Sequence, residues 1–435
     1  MRTIEADIAI VGSGAGGATV AKELAESGKK IVILEKGWEK GRYRQRRKLH
    51  RYFSNTDFLY SELTDIKLLN RDVNVVYWIG TGGTTTVSSA NFVRSLDSAL
   101  QSFGINIDRE FTGIEQELGV VPYPKNCLGQ GAARLHKAGT SMGLKWEFMP
   151  RAVDFDKCRF CGECTLECPK QAKWTAASYI DEAIDKGVRL IENVGVHEIL
   201  SANGKVKGVR GKTNGEEHEV LADRVVLAAG AVETAVILKN SGIERAGNNL
   251  FCHPYYVMYD SSNNRIYGKE PRALINKEFV QSHGFMLANS NVTRFEKFYR
   301  RVPKSFKPEA VPAMLGIMVK IKDDSAGKVY GDGKIHKVLT ASDTKKAISS
   351  ASLARDILLE AGVKQADIKL RFFPGVHPGG TAAIGDVVDE NLQTEIEHCY
   401  VSDASVLPEA PALPPMLTIM ALSRRLAERI LSTSA

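Results

Sequence analysis

Hydrophobic and polar positions alternate through the start of the chain in a recognisable order. Residues 6–11 (ADIAIV) form a short apolar run, residues 12–17 (GSGAGG) are rich in glycine, residues 18–27 carry apolar side chains at helical spacing, and residues 30–34 are apolar again and end at Glu35. The pattern predicts strand, turn, helix and strand. Two similar elements recur downstream. Residues 223–230 predict a strand followed by an apolar helix to about Asn240, and residues 399–403 a strand followed by a long helix over 414–431. Between 254 and 340 the pattern becomes alternating and aromatic-rich, as in 254–259 (PYYVMY) and 314–319 (MLGIMV), which predicts antiparallel sheet. Residues 342–361 predict a helix closing that region. The expected fold class is α/β: a discontinuous Rossmann-like dinucleotide-binding domain built from the start, middle and end of the chain, an antiparallel-sheet (α+β) substrate domain, and a cysteine-rich insertion. The expected limits are 1–125, 181–253 and 371–435 for the nucleotide domain, 126–180 for the cysteine-rich segment and 254–370 for the substrate domain.

The first unit carries the most specific chemistry. Gly12, Gly14 and Gly17 fall at the first, third and sixth positions of G-x-G-x-x-G. The first glycine allows a tight turn, the second lets backbone approach a pyrophosphate, and the third lets helix pack on strand, while the helix N-terminus offers N–H groups to phosphate. Glu35 follows at the distance from which a carboxylate accepts from a ribose hydroxyl. The motif alone does not separate NAD from FAD.

Cysteine usage changes the picture. Four of the seven cysteines, Cys158, Cys161, Cys164 and Cys168, lie in C-x2-C-x2-C-x3-C-P, and no export signal is read at the N-terminus, so the expected setting is a reducing cytoplasm and the expected role metal ligation. The spacing is that of a bacterial ferredoxin loop and points to a [4Fe-4S] cluster, with Cys168, Cys127 or Cys252 as the fourth ligand. Zinc on four thiolates, and a loop without metal, are the rival readings. Where the bound dinucleotide is a flavin, which takes two electrons while a cluster passes one, the pair reads as a converter serving a one-electron carrier, a dehydrogenase or reductase in preference to an oxidase. No apolar run is long enough to cross a bilayer. The net charge of +7 is too small for this length to argue for nucleic acid. Two basic stretches, 40–51 and the aromatic-laced 294–307, are solvated faces, docking surfaces for an acidic ferredoxin-like protein or, for the second, a peripheral membrane contact.

Several segments together resemble the glucose–methanol–choline (GMC) family of flavin oxidoreductases: the N-terminal βαβ unit, residues 80–94 (GTGGTTTVSSANFVR), 223–230, 247–254 (GNNLFCHP), 377–381 (HPGGT), 388–389, 400–408 and 418–419. Within the family the GGTT loop and the cysteine segment ending in Ala172-Lys173 resemble the long-chain alcohol oxidase and dehydrogenase branch. The resemblance implies FAD. It places Gly12, Gly14, Gly17 and Glu35 on the ADP half, Val196 at the adenine, Gly83, Thr84, Thr85, Ser88 and Asn91 at the pyrophosphate and isoalloxazine, Ala229 and Gly230 in the second dinucleotide-binding strand, and Asp403 near the phosphates and ribityl chain. His377 matches the active-site histidine and is the expected catalytic base. The second active-site position of the family, usually His or Asn, is Pro414 here, and proline neither donates a hydrogen bond nor moves a proton. His253, Tyr255 and Tyr256 are the candidates to replace it. The expected function is oxidation of an alcohol or sugar hydroxyl to a carbonyl. The alternatives are a reductase of a carbonyl or activated double bond fed through the cluster, and an electron-transfer or scaffold subunit of a larger redox complex.

Overall fold

The computed structural model describes residues 2–37, 73, 75, 77–165, 168–262, 270–291, 315–373 and 375–433. Both basic stretches lie outside the described residues. A seven-stranded sheet runs in the order Arg189–Glu192, Ile31–Glu35, Arg2–Val11, Glu216–Leu227, Lys205–Thr213, Gly195–Ala202, with Cys399–Val401 also paired to Glu216–Leu227. The pairings among the first four strands and Cys399–Val401 are parallel, and the two at the far edge are antiparallel. The long strand Glu216–Leu227 serves both parts. Its first half pairs with Lys205–Thr213, and its last three residues pair with Cys399–Val401. The start, middle and end of the chain therefore meet at the carboxyl ends of adjacent parallel strands, where α/β folds place their ligands.

The first helix is Ala15–Leu24, three residues earlier than the sequence pattern predicts. Glycines lower helix propensity, which is why the run reads as a turn, but packing requires them inside the first turn. A Cβ on Gly16 would stand 1.6 Å from the Ser402 carbonyl oxygen, and one on Gly17 would stand 2.0 Å from that of Gly12. The C-terminal helix Met416–Ser432 packs against this helix and completes that layer.

A second sheet, antiparallel throughout, runs Ile368–Phe373, Tyr255–Asp260, Leu315–Ile321, Phe285–Asn291, Leu274–Asn276, Glu147–Phe148. Helix Ala341–Glu360 covers one face and starts with a reciprocal cap between Thr340 and Asp343. Successive side chains point to opposite faces, so Tyr256 bonds Ala347 and Ser350 of this helix, while Tyr255 faces a cavity between the two sheets.

Candidate active site

One cavity of about 390 Å³ runs from the glycine turn to the second sheet, within the size range of small-molecule and cofactor sites. Its walls include Gly12, Gly14, Glu35, Gly83, Thr84, Thr85, Ser88, Asn91, Val196, Ala229, Gly230, His377 and Asp403, so residues expected from distant parts of the sequence share one space. Gly17 is not among them, because it serves helix packing alone.

The glycine end is a cradle. A Cβ added to Gly14 would project into open space, with only the Gly83 Cα within 4.0 Å. Helix Ala15–Leu24 has no side-chain cap, so its first N–H groups face the cavity. Ser88 and the Thr84–Thr85 loop close the other side. Asn91 Oδ1 is buried without a hydrogen-bond partner and is free to accept from a ligand. A space for a backbone-hugging pyrophosphate, an uncapped helix end and an orphan acceptor fit a flavin dinucleotide.

Glu35 and Asp403 are more occupied by protein than their sequence roles suggest. Glu35 accepts from the Ser13 amide (3.0 Å) and hydroxyl (2.6 Å) and from the Gly37 amide (2.7 Å). Its Oε1, holding one of these bonds, keeps a lone pair for a ribose hydroxyl. Asp403 accepts four bonds, from the Gly230 amide, the Thr234 hydroxyl, and the Ser405 amide and hydroxyl. It caps the short turn Ala404–Val406 and ties it to the start of helix Ala231–Asn240, which fixes the cavity wall, a role visible only in three dimensions.

Two histidines meet at the substrate side. Backbone bonds zip residues 251–252 to 377–379: Phe251 and Gly379 exchange amide–carbonyl bonds of 3.1 Å, and the His377 amide donates to the Cys252 carbonyl. The close pairing puts His253 Nδ1 3.1 Å from His377 Nδ1. His253 lies in left-handed backbone (φ 50°), a conformation costly for a side chain of its kind. The Asp323 carboxylate holds it there, accepting the consecutive Cys252 and His253 amides at 2.9 Å each and pairing with Lys337 at 2.9 Å in full burial. On the other ring edge, His253 Nε2 accepts the Ala412 amide at 2.9 Å. An amide only donates, so neutral His253 carries its proton on Nδ1 and gives it to His377 Nδ1, which leaves the proton of neutral His377 on Nε2. Burial holds both imidazoles well below the usual histidine range, and so neutral. In this bonding pattern the Nε2 edge of His377, the expected base, is a donor.

Of the candidates to stand in for Pro414, His253 is in place behind His377 and Tyr255 lines the cavity, whereas Tyr256 points into the helix layer. Sequence reasoning passed over Lys320, Arg272 and Asp323. Lys320 is buried with its Nζ 3.4 Å from each nitrogen of His377. A lysine in a wholly buried strand (Leu315–Ile321) is the signal that was available.

The four loop cysteines do not form a ready metal site. Among the described residues no group of three or more His, Cys, Asp or Glu side chains could hold a metal ion, so the [4Fe-4S] or zinc site expected from the spacing is not found, and no electron path is derived through it. Sulfurs of the segment accept hydrogen bonds. Cys158 Sγ accepts the Phe160 amide (3.4 Å), Cys168 Sγ the Ala172 amide (3.2 Å) and Cys164 Sγ the Arg151 guanidinium (3.2 Å). Arg151 is fully buried, with Nη1 unpartnered, and Lys173 binds only carbonyls, those of Thr85, Thr86, Ser88 and Cys164. Thr165, next to Cys164, lines the cavity. Cys252 is removed from the list of fourth ligands, since it is buried against Gly375 and Asp323 beneath the histidines.

Comparison with known proteins agrees with this arrangement. The N-terminal profile of the GMC oxidoreductases matches residues 7–255 and the C-terminal profile residues 291–423. An uncharacterised protein of Methanocaldococcus jannaschii is 30% identical over 98% of this chain and 100% of its own length. A long-chain-alcohol oxidase of Arabidopsis thaliana is 24% identical over 97% of this chain and 68% of its own length. Among solved structures, a formate oxidase of Aspergillus oryzae superposes with a TM-score of 0.71 at 16% identity, covering 100% of this chain and 99% of that one. On matched profiles, fold and cavity together, the chain belongs to the GMC oxidoreductase family.

Proposed function

We propose that the chain is an FAD enzyme that oxidises an alcohol, a CH–OH group, to a carbonyl. The observation that carries the reading is that one cavity joins the glycine cradle to the His253–His377 pair. When bound, FAD supplies the acceptor for the hydride leaving the alcohol carbon. The substrate oxygen binds at the Nε2–H edge of His377, whose direction is fixed by the chain of bonds from the Ala412 amide through His253. Backbone-held donors of this kind need no reorganisation as negative charge grows on that oxygen. Anaerobic bleaching of the FAD-loaded protein by a panel of primary, secondary and sugar alcohols tests the reading. Bleaching only by a reduced one-electron carrier would instead support the reductase direction, and activity appearing only with a co-purifying protein the subunit reading. Oxygen consumption with a bleaching alcohol separates oxidase from dehydrogenase, and the named relatives include oxidases.

A second reading concerns the cysteine loop and supports a dehydrogenase. Arg151 and Lys173 are buried beside Cys164 and have no carboxylate partner among the described residues. Buried cations without a counter-charge are costly, and a thiolate centre would supply that charge. Backbone N–H groups donating to cysteine sulfur suit the same state, and they add to the ferredoxin spacing. In this reading the loop closes around iron and sulfide only when they are supplied, with Cys127 as an alternative to Cys168, and it passes single electrons to a ferredoxin-like partner. Iron and acid-labile sulfide per FAD, measured on protein purified without oxygen, test it. About four of each support the cluster; zinc or no metal overturns it.

A further inference from the structure

With Pro414 in the second family position and His377 presenting Nε2–H, the proton leaving the substrate hydroxyl needs an acceptor that neither supplies. Lys320 is placed to be that acceptor. Its strand sets it opposite Tyr255 and Met286, and it lines the cavity with Arg272, His377 and Pro414. Equal distances of 3.4 Å from both His377 nitrogens put Nζ over the imidazole face, since an in-plane position equidistant from both would collide with ring carbon. Lys320 is therefore outside the in-plane bonding of the histidine chain, and it lines the same cavity as His377. We propose, on the alcohol-oxidation reading above, that Lys320 acts as a neutral amine and is the general base of this enzyme: its Nζ takes the hydroxyl proton while His377 Nε2–H holds the oxygen.

The step balances. The O–H bond breaks as an N–H bond forms on Lys320, the C–H bond breaks with its electron pair passing to bound FAD as hydride, and the C=O bond forms. The amine becomes an ammonium, which returns its proton to solvent after product leaves.

The surroundings favour the neutral amine. Among the described residues Lys320 has no carboxylate partner. Burial, with the Arg272 guanidinium adding to it, holds its ammonium well below the usual lysine range. The other charges packed around it are spoken for: Lys322 is paired with Glu409 at 2.6 Å, and Lys337 with Asp323 at 2.9 Å. His253 and His377 are neutral, and the Tyr255 ring lies 6.0 Å from Nζ. An ammonium over the His377 face would also weaken any tendency of that ring to take a proton, which keeps the two roles separate.

The test combines a titration with kinetics. In FAD-loaded protein labelled with 13C at lysine Cε, the resonance lost in Lys320→Met is followed against pH. It should titrate well below the ordinary lysine value of about 10.4; titration in the ordinary range overturns the proposal. In wild type, kcat/KM should rise with pH through that same midpoint, because the base must be unprotonated. Lys320→Ala should lose about 10²–10⁴-fold in kcat with FAD content kept, and added small primary amines should restore part of it. Lys320→Arg, which keeps a cation but cannot lose its proton, should be as slow as Lys320→Met. An arginine variant at the wild-type rate means that Lys320 is only a fixed charge, and overturns the proposal. If the FAD-loaded wild type bleaches with no alcohol, the reaction reading fails and this role with it, while the titration still decides independently whether the amine is neutral.

Discussion

Asp403 offers a direct measure of how the cavity wall is held. Its Oδ2 accepts from the Gly230 amide at 2.8 Å and Thr234 Oγ1 at 2.6 Å, and its Oδ1 from the Ser405 amide at 2.8 Å and hydroxyl at 2.5 Å. In Asp403→Asn one oxygen remains, and the new NH2 must face one of the two pairs. A hydroxyl can rotate and accept from it, but a backbone amide cannot, so whichever way the side chain turns, one buried N–H is left opposite another donor. Leaving a buried donor without its partner costs about 1–3 kcal/mol, and removing a carboxylate from the N-terminus of helix Ala231–Asn240 a further ~0.3–1 kcal/mol. The expected loss is about 2–4 kcal/mol, read from urea unfolding of the FAD-free protein followed by circular dichroism. Thr234→Val, which removes one neutral donor, should cost only about 1 kcal/mol. Because Ala229 and Gly230 line the cavity, Asp403→Asn should also release FAD more readily. An Asp403→Asn protein within about 0.5 kcal/mol of wild type, below the range expected for even one lost buried bond, would refute the reasoning.

Other substitutions separate packing from binding. Gly16→Ala drives a Cβ to within 1.6 Å of the Ser402 oxygen and should cost about 1–3 kcal/mol of stability, seen as a lower melting temperature. Gly14→Ala should leave the FAD-free protein's melting temperature nearly unchanged while weakening FAD binding, because its Cβ enters ligand space. Asp323→Asn leaves Lys337 buried without its counter-charge and should cost about 3–5 kcal/mol; adding Lys337→Met should recover part of this in the same unfolding assay. Both site histidines are held below their unfolded value of about 6.5, so their contribution is complete above that pH and is lost as pH falls through it toward the folded values, where the unfolded chain binds more protons. Unfolding midpoints between pH 5 and 7.5 should fall on the acid side, with a shallower slope in His377→Gln; equal slopes would count against buried neutral rings.

The sequence by itself determined the strand–turn–helix–strand opening, its recurrence downstream, the antiparallel middle and the position of His377, because these are written in local periodicity and in motifs a few residues long. Its glycine motif and its resemblance to the family pointed Gly12, Gly14, Gly83, Asn91 and Asp403 to one cofactor, and all five line one cavity. Only the tertiary structure decided which groups face each other. Gly16 looks like turn material in the sequence and is a packing necessity because Ser402, nearly four hundred residues away, lies against it. Tyr255 and Tyr256 are equivalent in composition, and strand alternation sends one to the cavity and the other to a helix. The His377 proton is positioned by a backbone amide at Ala412 through His253, and no spacing rule contains that relation. Lys320 and Arg151 show the same limit from the side of electrostatics. A charge matters according to what is buried beside it, and burial arises from contacts between segments that the linear order keeps apart.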